Sequence, residues 1–186
     1  MKAIARKFTL TAVLLLLIAI VPQAARSAEP TLVQNDAFSL TLPAGFAPFT
    51  EKAQSANSPG GTITTTNWIS KAPTGDAIIV TVSKMPKKIQ SPDKLFRGTR
   101  DSLLNSLKAT LDSEEKVAGD IPTTSLMFHS DAAYLRARLA VAADHFYQVL
   151  YVGRSAEQRA LPFVGQVFDS FRINAHPPAV ASAAVK

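Results

Sequence analysis

From Ala133 to Ala142 apolar and polar side chains alternate, and after a tight connection at Asp144 a second extended run continues from Phe146 to Gly153. Alternation with a period of two marks a strand with two different faces. So short a connection leaves one way to pair the two runs, because parallel neighbours need a crossover of a dozen residues or more. These two runs are therefore the strongest candidate in the chain for an antiparallel hairpin. In its first strand Leu135, Ala137, Leu139 and Val141 point one way, and Tyr134, Arg136, Arg138 and Ala140 point the other.

The rest of the sequence supplies partners for that hairpin. Phe38 to Leu42 alternates as a half-buried strand, Pro43-Ala44-Gly45 ends it, and Phe46 and Phe49 are placed to fold back on the sheet. Glu29 to Gln34 reads as a lead-in. Gln54 to Gly61 has no apolar period and reads as a mobile loop around Gly60-Gly61, ahead of strands from Thr62 to Ser70 and from Ala77 to Ser83. Ile78-Ile79-Val80-Thr81-Val82 is the most apolar of these runs and belongs near the sheet centre.

Ser91 then stands at a helix cap, Pro92 at the first turn where its missing N–H costs nothing, and Asp93 at the positive end of the helix dipole. Leu95, Phe96, Thr99, Leu103, Leu107 and Leu111 recur at steps of three and four, predicting a helix from Pro92 to Leu111 with Leu103 and Leu107 buried beneath it. Strands follow at Lys116 to Asp120 and Thr124 to His129. A second helix is capped by Ser155 with Glu157 and Pro162 and carries a stripe of Leu161, Val164, Phe168 and Phe171. The tail from Asn174, with Pro177-Pro178, reads as disordered. Strands, helix, strands, helix, without regular strand–helix alternation, predict an α+β fold: an antiparallel sheet flanked by helices.

The beginning of the chain is of another kind. Lys2, Arg6 and Lys7 precede a charge-free apolar run to Val21, Pro22 breaks it, and Ala25 and Ser27 are spaced for cleavage before Ala28. The run is shorter than the ~20 residues that span a bilayer, so residues 1–27 read as a signal peptide and residues 28–173 as one periplasmic or secreted domain. With no cysteine, lipid attachment at that residue is impossible and the domain must hold by its core alone. Cleavage removes four of the twenty bases and none of the fourteen acids, leaving a net charge of +2. Nothing global then points to nucleic acid or to a stable membrane anchor as partner.

Several blocks taken together resemble the PsbP/DcrB-like proteins: Phe38 to Phe46, Ile78 to Val82, the apolar helix around Leu103, Tyr147 to Tyr151 and Phe168 to Ile173. The resemblance runs from Asp36 to Asn174. It implies a six- or seven-stranded antiparallel sheet between helices, a PsbP-like α/β/α sandwich, used by small accessory and binding proteins and not by enzymes. It brings no active-site signature to carry over, and the lipidated cysteine that anchors many bacterial members is missing here.

The residues themselves assign no catalytic, cofactor or metal site. His129, His145 and His176 are scattered, His129-Ser130-Asp131 and Asp144-His145 fit turn chemistry, and Asp112, Glu114 and Glu115 read as a solvated acidic cluster. There is no Gly-x-Ser-x-Gly elbow and no phosphate-binding glycine loop. Two groups of bases stand out as candidate contacts for an anion or a partner. Lys84, Lys87 and Lys88 form the densest basic segment, with Lys94 and Arg97 a turn further on. Arg136 and Arg138 beside Tyr134 suit a carboxylate, phosphate or glycan if their strand face is open, and are amphipathic packing if a helix covers it. The expected role is a non-enzymatic accessory or binding protein of the bacterial cell envelope, whose partner is an envelope protein or a small ligand. A carrier of small apolar ligands is one alternative. The other is a hydrolase, which would need His129 or His145 to meet a carboxylate in a closed cleft.

Overall fold

The computed structural model describes residues 29–155 and 161–174. Residues 1–28, which carry the expected leader and cleavage site, Glu157, and the expected tail apart from Asn174 lie outside the described residues. In chain order the elements are β1 (Thr31–Gln34), β2 (Phe38–Leu42), β3 (Thr50–Ser58), β4 (Gly61–Lys71), β5 (Ala77–Lys84), α1 (Pro92–Leu107), β6 (Thr110–Val117), β7 (Thr123–Ser130), β8 (Ala133–Ala142), β9 (His145–Gly153), α2 (Pro162–Ser170) and β10 (Arg172–Ile173). They build two antiparallel sheets, one of seven strands in the order β3-β4-β5-β9-β8-β7-β6 and one of three in the order β1-β2-β10. No helix among the described residues is long and apolar enough to cross a membrane.

The β8–β9 hairpin closes from Ala142 opposite His145, with Ala143 and Asp144 as its turn and Ala143 at a φ of 55°. Alternation then sorts the side chains onto two cores. Leu135, Ala137, Leu139 and Val141 join Leu126, Phe128, Phe146 and Leu150 on the face where α1 lays Phe96. Tyr134 and Ala140 join Val80, Val149 and Tyr151 on the other face, where β2 brings Phe38, Leu40 and Leu42 and α2 brings Val164, Val167 and Phe168. The small sheet is tied down by Asn35, whose side chain accepts the N–H groups of Ala37 and Phe38 at 2.9 Å each, and by Asn174, whose N–H donates to the Ala37 carbonyl at 3.1 Å.

Four elements depart from the sequence reading, each for a physical reason. Gln54 to Gly61 is not a loop: it forms most of β3 and the Pro59-Gly60 turn into β4. This edge strand is exposed on both faces and needs no apolar period, since ladder bonds and polar pairs such as Thr62 Oγ1 to Asn57 Oδ1 at 3.1 Å hold it. Gly61, at a φ of +124°, also lies against Pro86, where an added Cβ would come within 2.8 Å of the proline's. Next, α1 stops at Leu107, with Lys108 left-handed after it, and Leu111 sits on β6. The four-residue spacing carries past the helix end because Leu111 faces the same core from the strand.

The third departure is β6, which begins at Thr110 and ends at Val117 in place of Lys116 to Asp120. A bulge between Leu111 and Ser113 breaks its alternation and hides it. Last, Glu29 to Gln34 is more than a lead-in, since Thr31 to Gln34 pairs with β2, and Leu161 stays 39% exposed outside the α2 stripe. Ser91 does occupy the α1 cap position, but its side chain makes no capping hydrogen bond.

Leu103 and Leu107 are half-buried at the margin of the α1-side core, not sealed beneath the helix. Depth of burial therefore separates two leucines facing the same core. Leu139→Ala, at a fully enclosed position, is expected to cost about 2–5 kcal/mol, and Leu103→Ala under about 2 kcal/mol. Chemical denaturation checks this, and equal losses at the two sites would contradict the assignment of the core.

Candidate functional site

Lys84 ends β5 at one end of the large sheet, and Lys87 and Lys88 stand on the connection from there to α1. That connection is fastened on two sides. The Met85 N–H donates to the Asp144 carbonyl at 2.8 Å and the Ile89 N–H to the Ala143 carbonyl at 3.2 Å, which docks it on the β8–β9 turn. Pro86 lies against Gly60 and Gly61 of the β3–β4 turn. Lys84, the last residue of β5, pairs across the sheet with Thr64 on one side and His145 on the other. The three lysine side chains are exposed and make no ion pair among the described residues. The nearby carboxylate of Asp144 is already engaged, 2.7 Å from Nδ1 of the buried His145. The segment is thus a braced loop that holds three unneutralised ammonium groups toward solvent.

The second candidate group has a different fate, because α2 covers its face. Tyr134 is only 2% exposed and belongs to the core, so it is no contact residue. The Arg136 guanidinium lies over the Phe168 ring at 4.8 Å and that of Arg138 at 5.7 Å, and Arg138 Nη1 donates to the Phe168 carbonyl at the end of α2. Arg138 also faces Asp169 at 3.7 Å. Burial, then the Arg136 charge, hold the Arg138 guanidinium below its ordinary value, so the ring and the carbonyl offset the cost of an enclosed cation. These arginines staple α2 to β8, at the helix end where the dipole favours positive charge.

The two described histidines each meet a carboxylate. His129 Nδ1 meets Asp112 Oδ1 at 2.7 Å across the β6 bulge, and neither His129 nor His145 lines a cavity described here. Burial first and the Asp144 carboxylate second raise the Tyr147 hydroxyl above its ordinary value. Burial, with Asp76 beside it, does the same more strongly to Tyr151. Both hydroxyls therefore stay protonated at physiological pH. Among the described residues no three His, Asp or Glu side chains gather where a metal ion could sit.

The sequence reading missed a groove of about 440 Å³ between α1 and the β6–β7 connection, lined among others by Phe96, Arg97, Val117 and Ile121. Its signal was present as the stripe Asp93, Arg97, Arg100 at steps of four and three on α1, of which Asp93 reads as a partner of the helix dipole and Arg97 as an extension of the lysine segment. A second groove of about 250 Å³ runs between β2 and α2 along Pro43, Phe163 and Val167.

If Arg138 is a staple and not a contact residue, Arg138→Ala is expected to lower stability by about 1–3 kcal/mol, through the lost charge-assisted bond and ring contact. The exposed Lys87→Ala should change it by under about 0.5 kcal/mol. Urea denaturation of both variants checks this, and an unaffected Arg138→Ala protein would return that face to the list of open surfaces.

No protein-family model matches this sequence, and no curated protein sequence matches it significantly. Among solved structures the chain is similar to the solution structure of cyanobacterial PsbP (CyanoP) from Synechocystis sp. PCC 6803. The TM-score is 0.56 at 12% sequence identity, over 84% of this chain and 98% of that one. At that identity the likeness is one of architecture: the chain has a PsbP-like fold.

Proposed function

We propose that this chain is an exported, non-enzymatic accessory protein of the bacterial cell envelope, of the PsbP/DcrB-like kind, that docks on an acidic surface of a partner through Lys84, Lys87 and Lys88. The observation that carries the reading is the braced loop. Three lysines on a connection bonded to one hairpin turn and packed on another form no ion pair among the described residues, while Arg100, Lys116 and Arg138 each face a carboxylate. A prepaid backbone conformation reduces the ordering cost of binding, and clustered charge steers association. The PsbP-like fold supports the accessory role, and the leader at Met1 to Ser27 supports export to the periplasm. On this reading Arg136 and Arg138 serve the sheet between its two covering layers and leave the partner contact to the lysines.

One preparation tests the reading. Tagged protein recovered from the periplasmic fraction should begin at Ala28. Its capture of an envelope partner should weaken as salt rises, and the triple variant Lys84→Glu, Lys87→Glu, Lys88→Glu should lose that partner while keeping the wild-type melting curve. Each exposed contact is worth about 1 kcal/mol or less, so the charges are reversed together. Protein starting at Met1 on membranes contradicts export, and a folded triple variant that keeps the partner contradicts the lysine contact.

A further inference from the structure

The groove between α1 and β6 lies apart from the lysine loop and has its own charge logic. On α1, Phe96 and Arg97 stand three and four residues after Asp93, and Arg100 stands four and three after them, so one stripe of the helix lines the groove facing β6 and the β6–β7 connection. Two ion pairs bridge it. Arg100 Nη1 meets Glu114 Oε2 at 2.6 Å, and Lys116 Nζ meets Asp93 Oδ1 at 3.3 Å. Arg97 stands between these straps and makes no ion pair among the described residues. Of the five charged side chains that line the groove, four are matched in pairs, Arg100 being bonded as well to Asp101 outside the lining at 2.8 Å, and Arg97 is the lining cation that faces no carboxylate among the described residues.

The apolar part of the lining comes from the edge of Phe96, a buried member of the α1-side core, from Val117 at the end of β6, and from Ile121 and Pro122 on the connection. Ile121 is 37% exposed, one of three large apolar side chains at the surface of the described residues. The volume falls within the range of small-ligand sites. The distance along α1 from Asp93 to Arg100, seven residues at 1.5 Å each, sets its length at about 10 Å.

We propose that this groove binds a monoanionic amphiphile, a medium-chain carboxylate. Its carboxylate pairs with the Arg97 guanidinium, and its chain lies along Phe96, Val117 and Ile121 between the two ion pairs. One uncompensated cation selects one negative charge, since a dianion would leave an unpaired charge in the groove and a neutral ligand would leave Arg97 unanswered. The lysine loop takes no part, so the two proposals stand or fall separately.

The test is a titration of isotope-labelled mature protein followed by amide NMR shifts, with sodium octanoate as the probe and octanamide as its neutral counterpart. Octanoate is expected to give saturable shifts at residues 93–100 and 117–123 and to bind about five- to tenfold more tightly than octanamide, the worth of one directed charge contact. Arg97→Gln should reduce octanoate to the octanamide level. Lys94→Gln, which removes an equal charge one turn away, should leave it unchanged, and Ile121→Ser should weaken both ligands together. The absence of saturable shifts, shifts confined to residues 84–89, or an Arg97→Gln protein that binds octanoate as wild type would overturn the proposal.

Discussion

Everything in this fold depends on the β8–β9 hairpin being buried on both of its faces. Along β9 only Gln148 and Val152 are less than fully enclosed, and on β8 the two cores alternate residue by residue. An antiparallel sheet often leaves one face to water; this one does not, and its apolar area demands two covers. The side chains of α1 supply one. The other is assembled from β2 and α2, whose residues meet over Tyr147 and Tyr151 with Phe38, Phe163 and Phe171 in edge-on and tilted ring contacts. The cover built from α2 must lie over a strand that carries two arginines, and the Phe168 ring and carbonyl are what make that tolerable.

How much of this could be read in advance follows from the same constraint. Wherever a strand faces a core, the apolar period is written into it: β2 and β8 were bounded to the residue, and β4, β5, β7 and β9 to within one. Where the ladder alone holds a strand, the period is absent. That is why β3, polar on both faces, resembled a loop, and why β6 disappeared behind its bulge at Asp112. β1 and β10 are too short to show a pattern at all. The leucine at position 111 misled in the opposite direction, its core-facing position being shared by two different elements.

The candidate sites were legible to a different degree, because charge clustering shows in a sequence and its cover does not. The two basic groups looked alike on paper. In the fold Arg136 and Arg138 became part of the packing, and Lys84, Lys87 and Lys88 became a braced and unneutralised edge. What decided between them was the seating of α2, a tertiary fact that no local spacing encodes. The groove beside Arg97 was hidden for a related reason: an outward helix stripe looks solvated until the turn of another hairpin is known to face it.

If the doubly covered hairpin is the organising constraint, stability must be graded across the sheet and not shared evenly. Amide hydrogen exchange measured residue by residue on the protein tests this most directly. The account predicts that β9, β8 and the adjoining β5 exchange only through global unfolding, while Gln54 to Ser58 on β3 exchange through local opening several kcal/mol cheaper. Protection on β3 equal to that on β9, or β9 amides that exchange ahead of the sheet edges, would contradict it.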